Sequence, residues 1–282
     1  MRLEGPESRN VEDRRGAGPG GGFAIGGGIG GVLLLVLALA LGIDPSELLQ
    51  GGGAPGGYQQ QQQAAPGQSD PARRFIAQVL GETERVWSEQ FRAQGRTYRE
   101  PRLVLYSRGV RTGCGPAQSQ VGPFYCPFDQ RIYIDPDFLA VMQRQLGARG
   151  DFAAAYVIAH EVGHHVQNQF GVLDRVQQLR RSESPAQANA MQVRIELQAD
   201  CLAGVWANQA HRARQILEQG DVEEGINAAN AVGDDVLQRR SQGYVVPERF
   251  THGTGAQRVR WFRQGLEKGD IRACDTFRVQ QP

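Results

Sequence analysis

The sequence contains only one lysine, Lys268, and its charges nearly cancel, with a formal net charge of +1 at pH 7. A nearly neutral chain has no general attraction to polyanions, so the composition does not indicate nucleic-acid binding. The four cysteines include no C-x-x-C pair, which disfavours zinc binding by cysteine. No repeat of fixed period is visible either, and residues 71–282 suit one globular domain.

The most informative stretch is an H-E-x-x-H motif at residues 160–164. It lies in a run that we expect to be a buried helix, 151–170, because nearly all residues before His160 are small or apolar. Two histidines four residues apart project from one face of a helix, so both imidazoles can bind one zinc ion. Glu161 would be the general base for a water molecule that the metal activates. The alternative is a helix with two surface histidines and a solvated glutamate.

A catalytic zinc site needs a third protein ligand, and a later helical-looking run, 185–219, offers one. Glu196 and Asp200 are four residues apart and share a face of that helix. One carboxylate could bind zinc while the other accepts the second ring N–H of a ligating histidine. Both could instead be solvated. The alternative ligands are His165, His211 and His252. His165 points about 100° away from its neighbour around the helix, so we expect it to be packed or hydrogen-bonded.

H-E-x-x-H followed by E-x-x-x-D on a later helix resembles the gluzincin metallopeptidases. The wider sequence is similar to the neutral zinc metallopeptidase family (YpfJ-like) over roughly residues 73–277. The segments that carry this similarity are 114–115, 122–127, 150–153, 155–167, 196–201 and 250–254.

The resemblance implies a zincin-like fold, one Zn²⁺ ion, and a peptide or protein substrate. By that resemblance His160, His164 and Glu196 are the zinc ligands. Glu161 is the general base, and Asp200 orients a ligand histidine.

A peptidase also needs a hydrogen-bond donor that stabilises the oxyanion. His252 is our candidate, since it lies in a loop between a turn at Pro247 and the last helix. It could instead merely cap the helix that begins at about Gly255. Tyr156 is the second candidate, although its position one turn before His160 in a buried helix favours a core role.

The active helix is preceded by short segments rich in β-formers, at 102–107 and 131–135. Zincins commonly bind an extended peptide along an edge strand beside the active helix. The segment 124–135 enters the chain just before that helix, so we expect it to bind substrate. An ordinary structural sheet edge is the alternative.

Helices dominate the expected fold, which is α+β and mostly α, with a small sheet before the active helix. The predicted helices are 71–94, 136–146, 151–170, 185–219, 221–240 and 255–268. The metallopeptidase domain at 71–282 is expected to follow a disordered Gly/Gln/Pro linker at 44–70.

An uncharged stretch at 23–43 would span about 31 Å as a helix, close to the thickness of a bilayer's hydrocarbon core. We expect it to be a transmembrane anchor that contacts the lipid bilayer, with a cleaved signal peptide as the alternative. Arg9, Arg14 and Arg15 precede it. This charge bias predicts a short cytoplasmic leader, 1–22, and an extracytoplasmic catalytic domain in a single-pass protein of the cell membrane.

The four cysteines allow three pairings and fit an oxidising compartment. We favour Cys114 with Cys126, which bracket a loop containing glycine and proline, and Cys201 with Cys274, which would tie the tail to the second metal helix. Four free thiols are the alternative.

The sequence therefore predicts a membrane-anchored zinc metallopeptidase, an endopeptidase, with no nucleic-acid partner; its oligomeric state cannot be read from the sequence. Two other functions stay open: a zinc-binding assembly module with little turnover, and a metal-dependent amidase that acts on a cell-wall peptide. Three protein ligands beside a glutamate argue against a purely structural zinc, which usually has four.

Overall fold

The computed structural model describes residues 1–16, 70–142, 144 and 150–282. Within these residues the fold is α+β and mostly helical, as predicted. The α-helices are α1 (Pro71–Ala93), α2 (Pro136–Val141), α3 (Asp151–Gln169), α4 (Val172–Arg180), α5 (Pro185–Arg214), α6 (Asp221–Ala231), α7 (Asp234–Gln242) and α8 (Gly255–Lys268). The strands are β1 (Val11–Asp13), β2 (Arg102–Leu105), β3 (Gly109–Thr112), β4 (Gly115–Gln118), β5 (Phe124–Cys126) and β6 (Arg131–Ile134).

Four of the strands form one sheet in the order β1-β2-β6-β5. The strand pairs β1–β2 and β2–β6 are parallel, whereas β5 runs antiparallel to β6 with Tyr125 opposite Ile132. The predicted strands at 102–107 and 131–135 correspond to the central strands β2 and β6. β3 and β4 form a separate antiparallel hairpin. Within the described residues β5 is therefore an edge strand.

The membrane topology predicted from the sequence is wrong. Strand β1 belongs to the predicted cytoplasmic leader, yet it pairs with β2 of the catalytic domain, with Val11 opposite Leu103. Segments on opposite sides of a bilayer cannot share a sheet, so this pairing contradicts a single-pass protein with its catalytic domain outside. No helix in the described part of the chain is long and apolar enough to cross a membrane. The predicted transmembrane helix at 23–43 lies outside the described residues, and neither it nor its bilayer contact is supported.

Helix α3 forms the centre of the core. All residues from Phe152 to Gly163 are buried, because the small and apolar side chains leave no polar face. A Cβ added to Gly163 would lie 3.0 Å from the carbonyl oxygen of Ala199. The glycine of the H-E-x-x-H motif thus allows the backbones of α3 and α5 to approach closely.

Helix α5 begins with a capping box between Ser184 and Gln187. It ends at Arg214, earlier than predicted, because Gln215 adopts a left-handed conformation with φ 51°. Helix α8 packs tightly along α5, where a Cβ on Gly265 would overlap the carbonyl oxygen of Cys201. The C-terminal helix is thereby held against the helix that carries Glu196.

The helix predicted at 221–240 is broken into α6 and α7 at residues 232–233. Gly233 is extended there, and a Cβ on it would overlap the backbone nitrogen of Gly255. The amide of Asp234 then donates to the carbonyl oxygen of Gly253 at 2.8 Å. The break therefore places the start of α7 beside the loop at 251–253.

Candidate metal centre

The two histidines of the motif lie one turn apart on α3, with ring centroids 4.8 Å apart. Glu196 of α5 faces both rings, and its Oε2 lies 3.2 Å from Nε2 of His160 and 3.4 Å from Nε2 of His164. The three side chains are only 7%, 13% and 6% exposed for His160, His164 and Glu196, respectively. One ligand atom from each lies within 4.8 Å of the others. The fold thus brings the three predicted ligands together.

This donor set fits a zinc ion. Two ligands that each lie about 2.0–2.1 Å from a tetrahedral zinc are separated by about 3.4 Å. The distances from Glu196 to the two histidines are close to that value. Two imidazoles and one carboxylate also leave a fourth position open, as catalytic zinc sites require.

Asp200 lies one turn after Glu196 and contacts the first histidine. Its Oδ1 lies 2.8 Å from Nδ1 of His160. A proton on Nδ1 leaves the lone pair of Nε2 facing Glu196, so this contact fixes the tautomer that a metal ligand needs. Burial opposes ionisation of Asp200, but Arg258 and His160 lower the pKa of its carboxyl to about 2. Asp200 is therefore a carboxylate at neutral pH.

Arg258 of α8 is a site residue that the sequence analysis missed. Its Nε and Nη2 each lie 2.9 Å from an oxygen of Asp200, and its Nη1 donates to the carbonyl oxygen of Val232 at 3.2 Å. The available signal was its position, because Arg258 lies three and four residues before the buried Trp261 and Phe262. A charge on the apolar face of a helix needs a buried partner.

Glu161 lies next to the first histidine and is 7% exposed. Burial raises the pKa of its carboxyl, and His160 and His164 only partly offset this effect. A carboxylate with a raised pKa binds a proton more readily at neutral pH, which suits a general base.

His252 lies in the loop after the 3₁₀ helix Pro247–Arg249 and is held by Asp234. The Oδ2 of Asp234 accepts from the backbone amides of residues 251–253 at 2.6–3.0 Å. Its Oδ1 lies 3.3 Å from Nδ1 of His252. Burial favours the neutral ring, but the carboxylates of Glu196 and Asp234 raise the pKa of His252. His252 is therefore near the ligand carboxylate and inclined to carry a proton. Sequence reasoning did not predict that Asp234 holds His252, because it predicted an unbroken helix there.

The other candidate residues have different partners. The hydroxyl of Tyr156 donates to Asp200 and accepts from Arg258, so Tyr156 belongs to the network behind the ligands. His165 contacts the hydroxyl of Tyr125 at 3.0 Å and a backbone carbonyl oxygen at 2.6 Å. The Nδ1 of His211 accepts from the backbone amide of residue 217, at the far end of α5. Both ring nitrogens of His165 are thus within hydrogen-bond distance of a partner, as expected.

The edge strand β5 is attached to the active helix. The hydroxyl of Tyr125 accepts from Asn168 of α3 at 2.9 Å, in addition to its contact with His165. The structure pairs Cys114 with Cys126, which ties the turn between β3 and β4 to β5. It also pairs Cys201 with Cys274, which ties the C-terminal segment to α5. These are the two disulfides favoured from the sequence.

Comparison with known proteins agrees with this site. The model of the family described as "Putative neutral zinc metallopeptidase" matches residues 1–277, which include the leader strand β1. The chain is 48% identical over 286 residues to "Uncharacterized protein YpfJ" of Escherichia coli (strain K12), covering 98% of the chain and 99% of that relative. It is also 48% identical over 190 residues to "Uncharacterized protein Rv2575" of Mycobacterium tuberculosis (strain ATCC 25618 / H37Rv), covering 64% of the chain and 63% of that relative. No solved structure matches the chain.

Proposed function

Because the chain belongs to the neutral zinc metallopeptidase family, whose cofactor is Zn²⁺, we propose that it hydrolyses internal peptide bonds at the centre on α3 and α5. His160, His164 and Glu196 hold the zinc. The observation that carries the proposal is the cluster of two Nε2 atoms and one carboxylate oxygen with a buried glutamate beside it.

The chemistry divides between the metal and the side chains around it. When bound, zinc lowers the pKa of a water molecule and polarises the scissile carbonyl. Glu161 takes a proton from the water and delivers it to the leaving amine. Its burial supports this role, because the raised pKa brings its proton affinity nearer to neutral pH.

We assign the stabilisation of the oxyanion to His252. Asp234 contacts Nδ1 of this ring, which leaves Nε2 as the donor toward substrate. Asp234, which is not a proposed zinc ligand, favours the charged ring. The hydrogen bond of a charged ring to a developing negative charge is stronger than that of a neutral donor. Tyr156 does not compete for this role, because its hydroxyl is engaged by Asp200 and Arg258.

The substrate is proposed to add as an extended strand along β5. This strand has its outer edge free within the described sheet, and Tyr125 links it to α3. Main-chain hydrogen bonds along such an edge give affinity that depends little on sequence. The proposal therefore predicts an endopeptidase that binds unfolded or extended segments.

The test compares cleavage of a peptide library by the purified wild type, Glu161→Gln and the control Glu267→Gln. Glu267 is exposed on α8 and receives the same substitution. We expect Glu161→Gln to retain zinc and to lose about 10²- to 10⁴-fold in rate, the usual contribution of a general base. The control should match the wild type. Equal cleavage by Glu161→Gln with zinc in place would overturn the proposal. Zinc binding without cleavage by the wild type would favour an assembly module, and cleavage of wall peptides alone would favour an amidase.

A further inference from the structure

The side chain of Gln167 lies between the second histidine of the motif and helix α5. It is only 1% exposed. Its Oε1 lies 2.9 Å from Nδ1 of His164, and its Nε2 donates to the carbonyl oxygen of Ile195 at 2.8 Å and to Oε1 of Gln198 at 3.0 Å. Every polar atom of this buried amide therefore has a partner.

The orientation of both amides is determined by backbone acceptors. The carbonyl oxygen of Ile195 can only accept, so the amino group of Gln167 must face α5 and its oxygen must face α3. Gln198 is oriented in the same way, because its Nε2 donates to the carbonyl oxygen of Cys274 at 2.9 Å. Neither amide can flip without placing two acceptors against each other.

We propose that Gln167 and Gln198 form a relay that holds His164 in its Nδ1–H tautomer and so directs its Nε2 toward zinc. Nδ1 faces an oxygen that only accepts, so Nδ1 carries the proton. In the neutral ring the lone pair is then on Nε2, the atom that lies 3.4 Å from Glu196. The inference rests on the proposed role of His164 as a zinc ligand, and it adds the residues that position this ligand.

The two histidines of one motif are thus oriented by different chemistry. His160 donates to the carboxylate of Asp200, whereas His164 donates to a neutral amide. The outermost acceptor of the relay is the carbonyl oxygen of Cys274. The side chain of Cys274 forms a disulfide with Cys201 of α5. The acceptor of Gln167 thus belongs to α5, and the acceptor of Gln198 is held against α5, the helix that carries Glu196.

The first measurement is the tautomer of the neutral His164 ring in metal-free protein, from long-range ¹H–¹⁵N correlation NMR. Burial lowers the pKa of this ring but the Glu196 carboxylate raises it overall, so spectra are recorded at a pH above that pKa. The wild type should show the Nδ1–H form. Gln167→Leu removes the acceptor and should shift the population toward Nε2–H. Gln167→Glu loses the two donations to α5 but keeps an oxygen facing the ring, so it should restore the Nδ1–H form. Gln169→Leu is the matched control on α3, because Gln169 bonds a backbone carbonyl away from the ligands.

The second measurement is zinc affinity by competition with a chelator. We expect Gln167→Leu to bind zinc about 10- to 100-fold more weakly, as is usual when the partner of a ligand is removed. Gln167→Glu should recover part of that loss, because it keeps the acceptor for Nδ1 but places a carboxylate oxygen against the carbonyl of Ile195. Gln169→Leu should match the wild type. Gln198→Leu removes only the outer amide and should cause a smaller loss of the same kind.

Several outcomes would overturn the relay. One is an unchanged tautomer of His164 in Gln167→Leu. Another is an Nε2–H form in Gln167→Glu, whose carboxylate still offers Nδ1 an acceptor. If Gln167→Leu does not fold, the tautomer of His164 in Gln167→Met decides, because methionine keeps the length of the side chain without its amide, and no shift there contradicts the proposal. Failure of the wild type to bind zinc would refute the proposed function instead, while the tautomer in metal-free protein would still test the relay.

Discussion

Arg258 binds Asp200 through two parallel hydrogen bonds, Nε to Oδ2 and Nη2 to Oδ1, each 2.9 Å long. Both residues are buried, at 4% and 0% exposed. A bidentate pair of this kind is specific in geometry as well as strong. Because Asp200 also contacts Nδ1 of His160, helix α8 determines where the first histidine of the motif lies.

Replacing Arg258 tests this arrangement. Arg258→Met leaves the charge of Asp200 buried without its partner, so we expect a loss of about 3–5 kcal/mol in unfolding free energy. Weaker zinc binding should accompany it, since Asp200 loses its fixed position. Denaturant unfolding and zinc competition measure the two effects. Arg263→Met, at an exposed position of α8, is the control. Full stability of Arg258→Met would show that the ion pair is dispensable.

The assignment of ligands is tested by zinc content. We expect His160→Ala and Glu196→Ala to lose stoichiometric zinc, because each removes one of three protein ligands. Asp200→Asn should retain zinc with affinity lower by about 10- to 100-fold, since it changes only the partner of His160. Metal analysis after dialysis against a weak chelator separates these classes. Full occupancy in Glu196→Ala combined with loss in Asp200→Asn would exchange the roles of the two carboxylates.

Local spacing allowed the candidate ligands that the fold brings together to be chosen, whereas long-range contacts explain what was missed. His160 and His164 are one helical turn apart and therefore share a helix face, and the same is true of Glu196 and Asp200. Arg258 acts on a carboxylate 58 residues away, and no periodicity in the sequence reveals that distance. Glycine explains the broken helix at 232–233, because Gly233 is needed for contact with another backbone rather than for local conformation.

The N-terminal leader, residues 1–22, shows a second limit of prediction from the sequence. Arginines before an uncharged stretch satisfied the rule for membrane orientation, but they did not reveal that Val11 pairs with Leu103. A three-residue strand has too little pattern to be recognised, and its partner lies about ninety residues later in the chain. Its place in the sheet depends on tertiary structure.

The charge of Asp234 should appear in the pH dependence of stability. Burial raises the pKa of this carboxyl, but His252 and the backbone amides of the loop lower it overall. A carboxyl whose pKa is lower in the folded state stabilises the protein at every pH above its pKa in the unfolded state. This contribution is lost as the pH falls through the pKa in the folded state. In metal-free protein, Asp234→Asn should therefore be less stable than the wild type by about 1–3 kcal/mol at pH 7. The difference should shrink below about pH 4.

Unfolding curves of both proteins between about pH 2 and about pH 7, which bracket the unfolded pKa of about 3.9, measure this effect. Asp137→Asn, at an exposed position of α2, serves as the control and should track the wild type. A difference that stays constant with pH would mean that the carboxylate charge is not what stabilises the loop.

The two disulfides should differ in their contributions to stability. Their cysteines are separated by 12 residues in one bridge and by 73 in the other. Loop-closure entropy then gives about 3 kcal/mol for Cys114–Cys126 and about 4 kcal/mol for Cys201–Cys274. Denaturant unfolding of the two double alanine variants measures both. A larger loss for the shorter loop would contradict the entropic account.

The central claim is that His160, His164 and Glu196 together hold one zinc ion. Anomalous scattering at the zinc absorption edge from crystals of the wild type tests it most directly. We predict a single strong peak about 2.0–2.2 Å from both Nε2 atoms and from a carboxylate oxygen of Glu196. A peak bound by other residues, or no peak in zinc-saturated crystals, would contradict the account.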